Sequence, residues 1–169
     1  MENRIIKIVE EIVKEALKDE NVIAIEIDMA DLRLFDKNGN YEPYRLEGLS
    51  NEDLEAHEIV YEVIEKAGFI LNPELNMYLR KDASLLDKIS FILNFQYDDI
   101  ESVDEEEIDE EEIEKLPVIA KNDNDEGLDI VYDAGDKYIL YWKTYYYPVP
   151  NVKHGFASGY IVIPKKYLI

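Results

Sequence analysis

Charged and apolar residues alternate with a helical period over the first eighteen positions. Ile5, Ile8, Val9, Ile12, Val13 and Ala16 recur three and four residues apart, with Lys and Glu on the opposite side. This spacing predicts an amphipathic helix from Glu2 to Lys18. The period then shortens. "VIAIEID", from Val22 to Asp28, is short and β-branched and predicts a strand. Leu32 and Leu34 precede "KNGN" and Tyr41 follows it, which predicts a hairpin. Asn38 and Gly39 supply the positive φ angles that a tight turn needs. Helical spacing returns at Leu54, Val60, Val63, Ile64 and Ala67. Ser50 or Asn51 can cap this second helix, Glu52 and Asp53 suit its first turn, and Gly68 ends it.

Further along, "LNMYLRKD" predicts a strand. "SLLDKISFILNFQYDD" supports two periods at once. Leu85, Leu86, Ile89, Ile92 and Leu93 are spaced as on a helix, whereas Ile89, Phe91, Leu93 and Phe95 alternate as on a strand. The aromatic content favours a strand, from Lys88 to Tyr97. "LDIVYDAGDKYILYWKTYYYP" predicts a hairpin around Ala134, Gly135 and Asp136, interrupted at Pro148 and Pro150. "GYIVIP" predicts a last strand. The order of elements implies an α+β fold: a mainly antiparallel sheet with two amphipathic helices packed on one face. The length of 169 residues suits a single domain, residues 1–169, and 47% apolar residues allow a packed core.

Charge changes this picture. The formal net charge is -21. Such a surplus repels nucleic acid and anionic membrane and attracts basic surfaces. It is concentrated between Asp98 and Lys115. Asp98, Asp99, Glu101, Asp104, Glu105, Glu106, Glu107, Asp109, Glu110, Glu111, Glu112 and Glu114 crowd into one stretch without a base among them. From Lys137 onward there is no acid, but there are five lysines, Lys137, Lys143, Lys153, Lys165 and Lys166. That basic tail can pack back on the acidic body or meet something else.

Runs of like charge are commonly solvated linkers, so residues 98–115 are open to being a mobile segment. Two features argue for more. Val103, Ile108, Ile113 and Leu116 recur through the run, which a spacer does not need. Asp104 to Glu107 would also suit the start of a helix, where the dipole favours negative charge. The four apolar positions keep only an imperfect helical face, because Ile108 and Ile113 are five apart. Glu107 and Glu111, Asp109 and Glu112, and Glu110 and Glu114 would be like-charge neighbours, each costing roughly 0.2–0.5 kcal/mol. A cationic partner would remove that cost, and a row of carboxylates resembles a row of phosphates.

Catalytic signals are sparse. There is no cysteine, which excludes disulfides, thiolate metal sites and a cysteine nucleophile. His57 falls within the second predicted helix and His154 in a glycine-containing loop; neither stands in a triad pattern. No glycine-rich phosphate loop occurs. "DKNGNYEPYRLE" places Asp36, Asn38, Asn40, Glu42 and Glu47 in a calcium-loop register, but Tyr41 stands where that loop requires glycine. "NDNDEGLD", Asn122 to Asp129, lacks a good final ligand. A carboxylate-metal enzyme would need acids to converge, for example Glu26, Asp28, Asp129 and Asp133. No cofactor is expected. No signal peptide and no apolar run long enough for a membrane helix is evident, so a cytoplasmic protein without membrane contact is expected.

Tyr138, Tyr141, Trp142, Tyr145, Tyr146 and Tyr147 cluster beside Lys137 and Lys143. Such a mixture can stack single-stranded bases, but the net charge opposes phosphate. One buried strand face with tyrosines on the other is the simpler reading. Tyrosine is also a common interface anchor, and Tyr145 and Tyr146 are the candidates here.

The first hundred residues resemble the YezG-type family of bacterial immunity proteins. The resemblance lies in the order of elements. An acidic amphipathic helix is followed by a strand, the "LRLFDKNGNYEPYRL" hairpin, the "NEDLEAHEIVYEVIEKAG" helix and the "KISFILNFQYDD" segment. It stops at Glu101. It implies an inhibitor of a toxin, often a nuclease, and no catalytic residue. The expected function is therefore non-enzymatic: an acidic protein holding a basic toxin nuclease or a host defence protein, with no direct nucleic-acid contact. A viral counter-defence protein that mimics DNA would use the same electrostatics.

Overall fold

A computed structural model describes residues 2–28, 31–45, 57–145 and 156–168. The contacts divide the chain into two compact units, Met1–Phe95 with Leu168, and Gln96–Tyr167 with Ile169.

The first unit contains α1 (Glu2–Lys18), β1 (Val22–Asp28), β2 (Asp31–Asp36), β3 (Tyr41–Arg45), α2 (His57–Lys66), β4 (Phe69–Asn72), β5 (Met77–Arg80) and α3 (Leu85–Ile92). Its five strands form an antiparallel sheet in the order β3-β2-β1-β5-β4. The apolar stripes of α1 and α2 meet one face. Val9, Val13, Ala16, Val60 and Ile64 share a core with Ile25, Leu32, Leu34, Phe69 and Tyr78. Of the Asn38-Gly39 pair in the β2–β3 turn only Gly39 takes a positive φ, 80°, because Asp36 holds this turn by accepting from the backbone of Asn38 and Asn40 at 2.9 and 3.0 Å. The proposed caps at Ser50 and Asn51, and Leu54, lie outside the described residues.

The segment expected as a strand from Lys88 to Tyr97 forms α3 and its C-terminal turn instead. Ser84 caps α3, accepting from the backbone of Asp87 at 3.2 Å, and Asp87 sits in the first turn. Ser84 and Asp87 make a capping pattern that outweighs the strand preference of the aromatics. Alternation along β2 turns Phe35 away from Leu34, and Phe35 meets Phe91 with ring centroids 5.7 Å apart. The sheet therefore has α1 and α2 on one face and α3 on the other. The strand β4, directly after Gly68, was not foreseen.

Arg80 closes α1 from a distance. Its guanidinium donates to the carbonyls of Leu17 and Asp19, both at 2.8 Å, and of Val22 at 3.2 Å. Carbonyls at a helix end lack intrahelical partners, and a cation there also favours the dipole. Asp82 holds the guanidinium from its other side at 2.7 Å.

The second unit contains β6 (Glu101–Val103), α4 (Glu110–Glu114), β7 (Val118–Asp123), β8 (Gly127–Asp133), β9 (Lys137–Tyr145) and β10 (Phe156–Pro164). Single 3-10 turns occupy Glu105–Glu107 and Lys165–Tyr167. The sheet is antiparallel, in the order β6-β10-β9-β8-β7. The β8–β9 hairpin turns at Ala134–Asp136 as expected. Pro148 and Pro150 lie outside the described residues. Gly159 pairs with Trp142, and a Cβ there would stand 3.2 Å from the indole. The glycine is what lets the indole lie across β10. No helix among the described residues is long and apolar enough to cross a membrane.

Candidate functional site

The acidic run is a built part of the second unit. It starts as the edge strand β6, with Val103 opposite Tyr160 of β10. Asp104 to Glu107 make the 3-10 turn, and Ile108 then extends (φ -116°, ψ 140°). Asp109 caps α4, its carboxylate accepting from the backbone of Glu111 at 3.1 Å. In place of one helix, whose face the apolar spacing would leave imperfect, the run forms two short pieces. The break at Ile108 explains the five-residue spacing to Ile113. Both side chains can then face the sheet, which one uninterrupted helix would not permit.

Four apolar residues hold the run in place. Ile113 is buried among Tyr132, Ile139 and Tyr160, and Val103, Ile108 and Leu116 pack against the same cluster. Burying one such side chain contributes about 2 kcal/mol, more than several like-charge pairs cost. Of the three pairs foreseen, only Glu110 and Glu114 lie one turn apart in a helix. Anchoring therefore wins over repulsion.

The carboxylates divide by role. Asp99 receives the Tyr167 hydroxyl and the Lys166 ammonium, the latter at 2.8 Å, and both hydrogen bonds hold its carboxyl below the usual range. Tyr97 stacks on Tyr167 with centroids 4.6 Å apart. Glu105 is half-buried and accepts from the Ser158 hydroxyl. Glu112 pairs with Lys115 at 3.2 Å in the open. Asp98, Glu101, Asp104, Glu106, Glu107, Glu110, Glu111 and Glu114 are exposed.

Beneath them is tyrosine. Burial pushes Tyr160 up to about 12, and Glu110 and Glu105 add to the shift. Burial likewise raises Tyr141, with Glu105 contributing, and Tyr132, with Glu114 contributing. Tyr141 and Tyr160 lie 5.1 Å apart, centroid to centroid. These tyrosines thus belong to the core face under the acids. Trp142, one residue on from Tyr141, points to the opposite face. For the two tyrosines singled out as anchors, Tyr145 ends β9 opposite Phe156, its side chain lies outside the described residues, and so does all of Tyr146.

Part of the basic tail meets acids within the unit. Lys165 pairs with Asp133 at 2.7 Å and Lys166 with Asp99. Lys165 also lies 4.8 Å from the centroid of Tyr138. The sequence showed the charge asymmetry but not which acids the lysines reach.

The candidate metal residues are otherwise arranged. Glu26 pairs with Arg33 at 3.3 Å in the first unit. Asp28 is the last residue of β1, while Asp129 and Asp133 are on β8 of the second unit. Asp129 is half-buried, and burial raises its carboxyl. Among the described residues no three acidic or histidine side chains converge on a common point. Both calcium-like loops are hairpin turns in which one side chain caps the turn's backbone, and Glu47 lies outside the described residues. Asp36 serves the first, and Asn124 accepts from the backbone of Glu126 and Gly127 at 2.8 and 3.1 Å in the second. A cleft of about 640 Å³ beside the first turn includes Asp19 and Asp36 in its lining. Asp19 accepts from the backbone of Asn21 at 2.9 Å. His57 contributes backbone to α2, its side chain lies outside the described residues, and so does His154.

Compared with protein-family models, with curated proteins and with solved structures, the chain matches none of them.

Proposed function

We propose that this protein is a non-enzymatic acidic inhibitor that binds a basic protein, either a toxin nuclease or another nucleic-acid-binding protein of a defence system. The observation that carries this reading is the anchoring of the acidic run. Ile113 and its three apolar neighbours fix the segment on the sheet while most of its carboxylates remain in solvent. A fixed row of anions loses less entropy on meeting cations than a mobile chain does. Opposite charge also steers encounter and disfavours wrong partners. The resemblance of the first hundred residues to YezG-type immunity proteins supports the toxin as partner and the cytoplasm as location. A viral DNA mimic would work by the same electrostatics, and gene neighbourhood separates the two: a toxin gene next door or a viral genome.

The test is association kinetics with a panel of basic nucleases across ionic strength. Replacing Glu106, Glu107, Glu110 and Glu111 together by Gln leaves the observed anchors and caps in place. It is expected to slow association about tenfold at low salt. Glu105 is spared because Ser158 bonds to it. Binding that ignores both salt and these substitutions would remove the electrostatic mechanism.

A further inference from the structure

The second sheet has an open edge at β7, which pairs with β8 on one side and, among the described residues, with no strand on the other. The other sheet edges are poorer templates. The edge strand β6 has three residues and β4 has four, while β3 carries Pro43, which lacks an N–H. The strand β7 has six residues and no proline. Asn124 donates to the Gly127 carbonyl at 3.0 Å across the turn. Antiparallel pairs alternate, so the N–H and C=O groups of Lys121 and Asp123 face away from β8. Val118 and Ile119 expose 54% and 43% of their surface beside this row. Acids flank the strand in sequence: Glu111, Glu112 and Glu114 before it, with Lys115 paired to Glu112, and Asp123, Asp125 and Glu126 at its close.

We infer that β7 is where a partner protein adds an extended basic segment as a sixth strand, cationic at both ends and uncharged in the middle. This rests on the acidic-inhibitor reading above and specifies how the partner is held. Main-chain hydrogen bonds supply affinity in strand addition, and side-chain chemistry supplies the choice of segment. The chain opposite β7 would set its cations against the two acidic flanks, with small apolar side chains over Val118 and Ile119. The bulge between Val118 and Ala120, and Lys121 in mid-strand, guard the edge against indiscriminate pairing. They leave it available to a segment that matches the charges.

The experiment titrates the full-length, isotope-labelled protein with a short peptide carrying paired lysines at both ends and alternating Val and Thr between. A second peptide of the same charge, N-methylated at its central amides, is the control. Strand addition predicts amide shifts across Val118–Asp123 and about tenfold weaker binding of the methylated peptide, which cannot form the main-chain bonds. It also predicts that Lys121→Pro loses the difference and Lys121→Ala keeps it. Equal binding of the two peptides, with shifts confined to residues 98–114, overturns strand addition and leaves the acidic-surface reading standing. Binding of neither peptide also overturns strand addition, and the salt dependence with nucleases then judges the acidic reading separately. If Lys121→Pro does not fold, the comparison of the two peptides decides alone.

Discussion

The helix α1 and the acidic segment from Asp104 to Leu116 are both strings of charge studded with aliphatics, yet they fold differently. In α1 the apolar residues fall three and four apart, so one unbroken helix presents Ile8, Val9, Ile12, Val13 and Ala16 to the core of the first unit. In the acidic segment the gaps run five, five and three from Val103 to Leu116. The chain reaches the second sheet only by breaking into a strand, a 3-10 turn and a short helix. Lysines are interleaved through α1, whereas Lys115 is the first base after the acidic run begins. The far end of α1 is closed by the buried Arg80, while α4 ends on the exposed Lys115. A regular apolar period thus yields an element with a deep core face. An irregular one yields a thin layer, each anchor holding its own piece, with carboxylates left in water.

Four measurements would break or sharpen this contrast. Val13→Asp should abolish folding of the first unit, costing about 4 kcal/mol or more, because Val13 is fully buried. Circular dichroism at α1 and loss of cooperative melting would show it. Ile113→Ala should cost about 2 kcal/mol, the low end for such truncations because the site lies near solvent. Amide exchange from Glu110 to Leu116 should rise while α1 is unaffected. Equal exchange in wild type and variant would mean the segment is not anchored there.

Acid should test the second unit more gently. Asp99 and Asp133 are held below the usual carboxylate range by hydrogen bonds from Lys166 with Tyr167, and from Lys165, respectively. Their contribution to stability is present above the unfolded carboxylate pKa and is lost as pH falls through their lower folded values. Burial raises Asp129, so its contribution runs the other way and is lost as pH rises through its folded value. Carboxyl NMR should find Asp99 and Asp133 titrating below the ordinary aspartate value, and Asp129 above it. Asp129→Asn should then stabilise the second unit at neutral pH. The smallest effect compares two matched pairs, Lys18 with Glu15 and Lys115 with Glu112, each at 3.2 Å and exposed. Glu15→Gln and Glu112→Gln should each change stability by no more than about 0.5 kcal/mol. A larger loss at Glu112 would make that pair part of the anchoring.

Legibility in the sequence followed from how local each signal was. The boundaries of α1 and β1 were readable because their apolar period is uninterrupted, and Asn38-Gly39 marked the first turn by its own chemistry. In the α3 segment the aromatic alternation imitates a strand, and the local cue that decides for a helix is the Ser84–Asp87 cap. The acids of the candidate surface could be counted, but not sorted into anchors, caps and exposed groups. Asp99 acquires its role from Tyr167, and Glu105 acquires its role from Ser158, both far along the chain.

By itself the sequence determined the helices and hairpins with an even period, the α+β class, and the placement of negative charge, since these depend on neighbours within one or two turns of chain. Only the tertiary structure decided that β6 pairs with β10, that Arg80 closes α1, that contacts collect into two units and that β7 is left as an edge. Each of those depends on residues that meet across tens of positions, where chain periodicity carries no information and packing and hydrogen-bond completion select the partner.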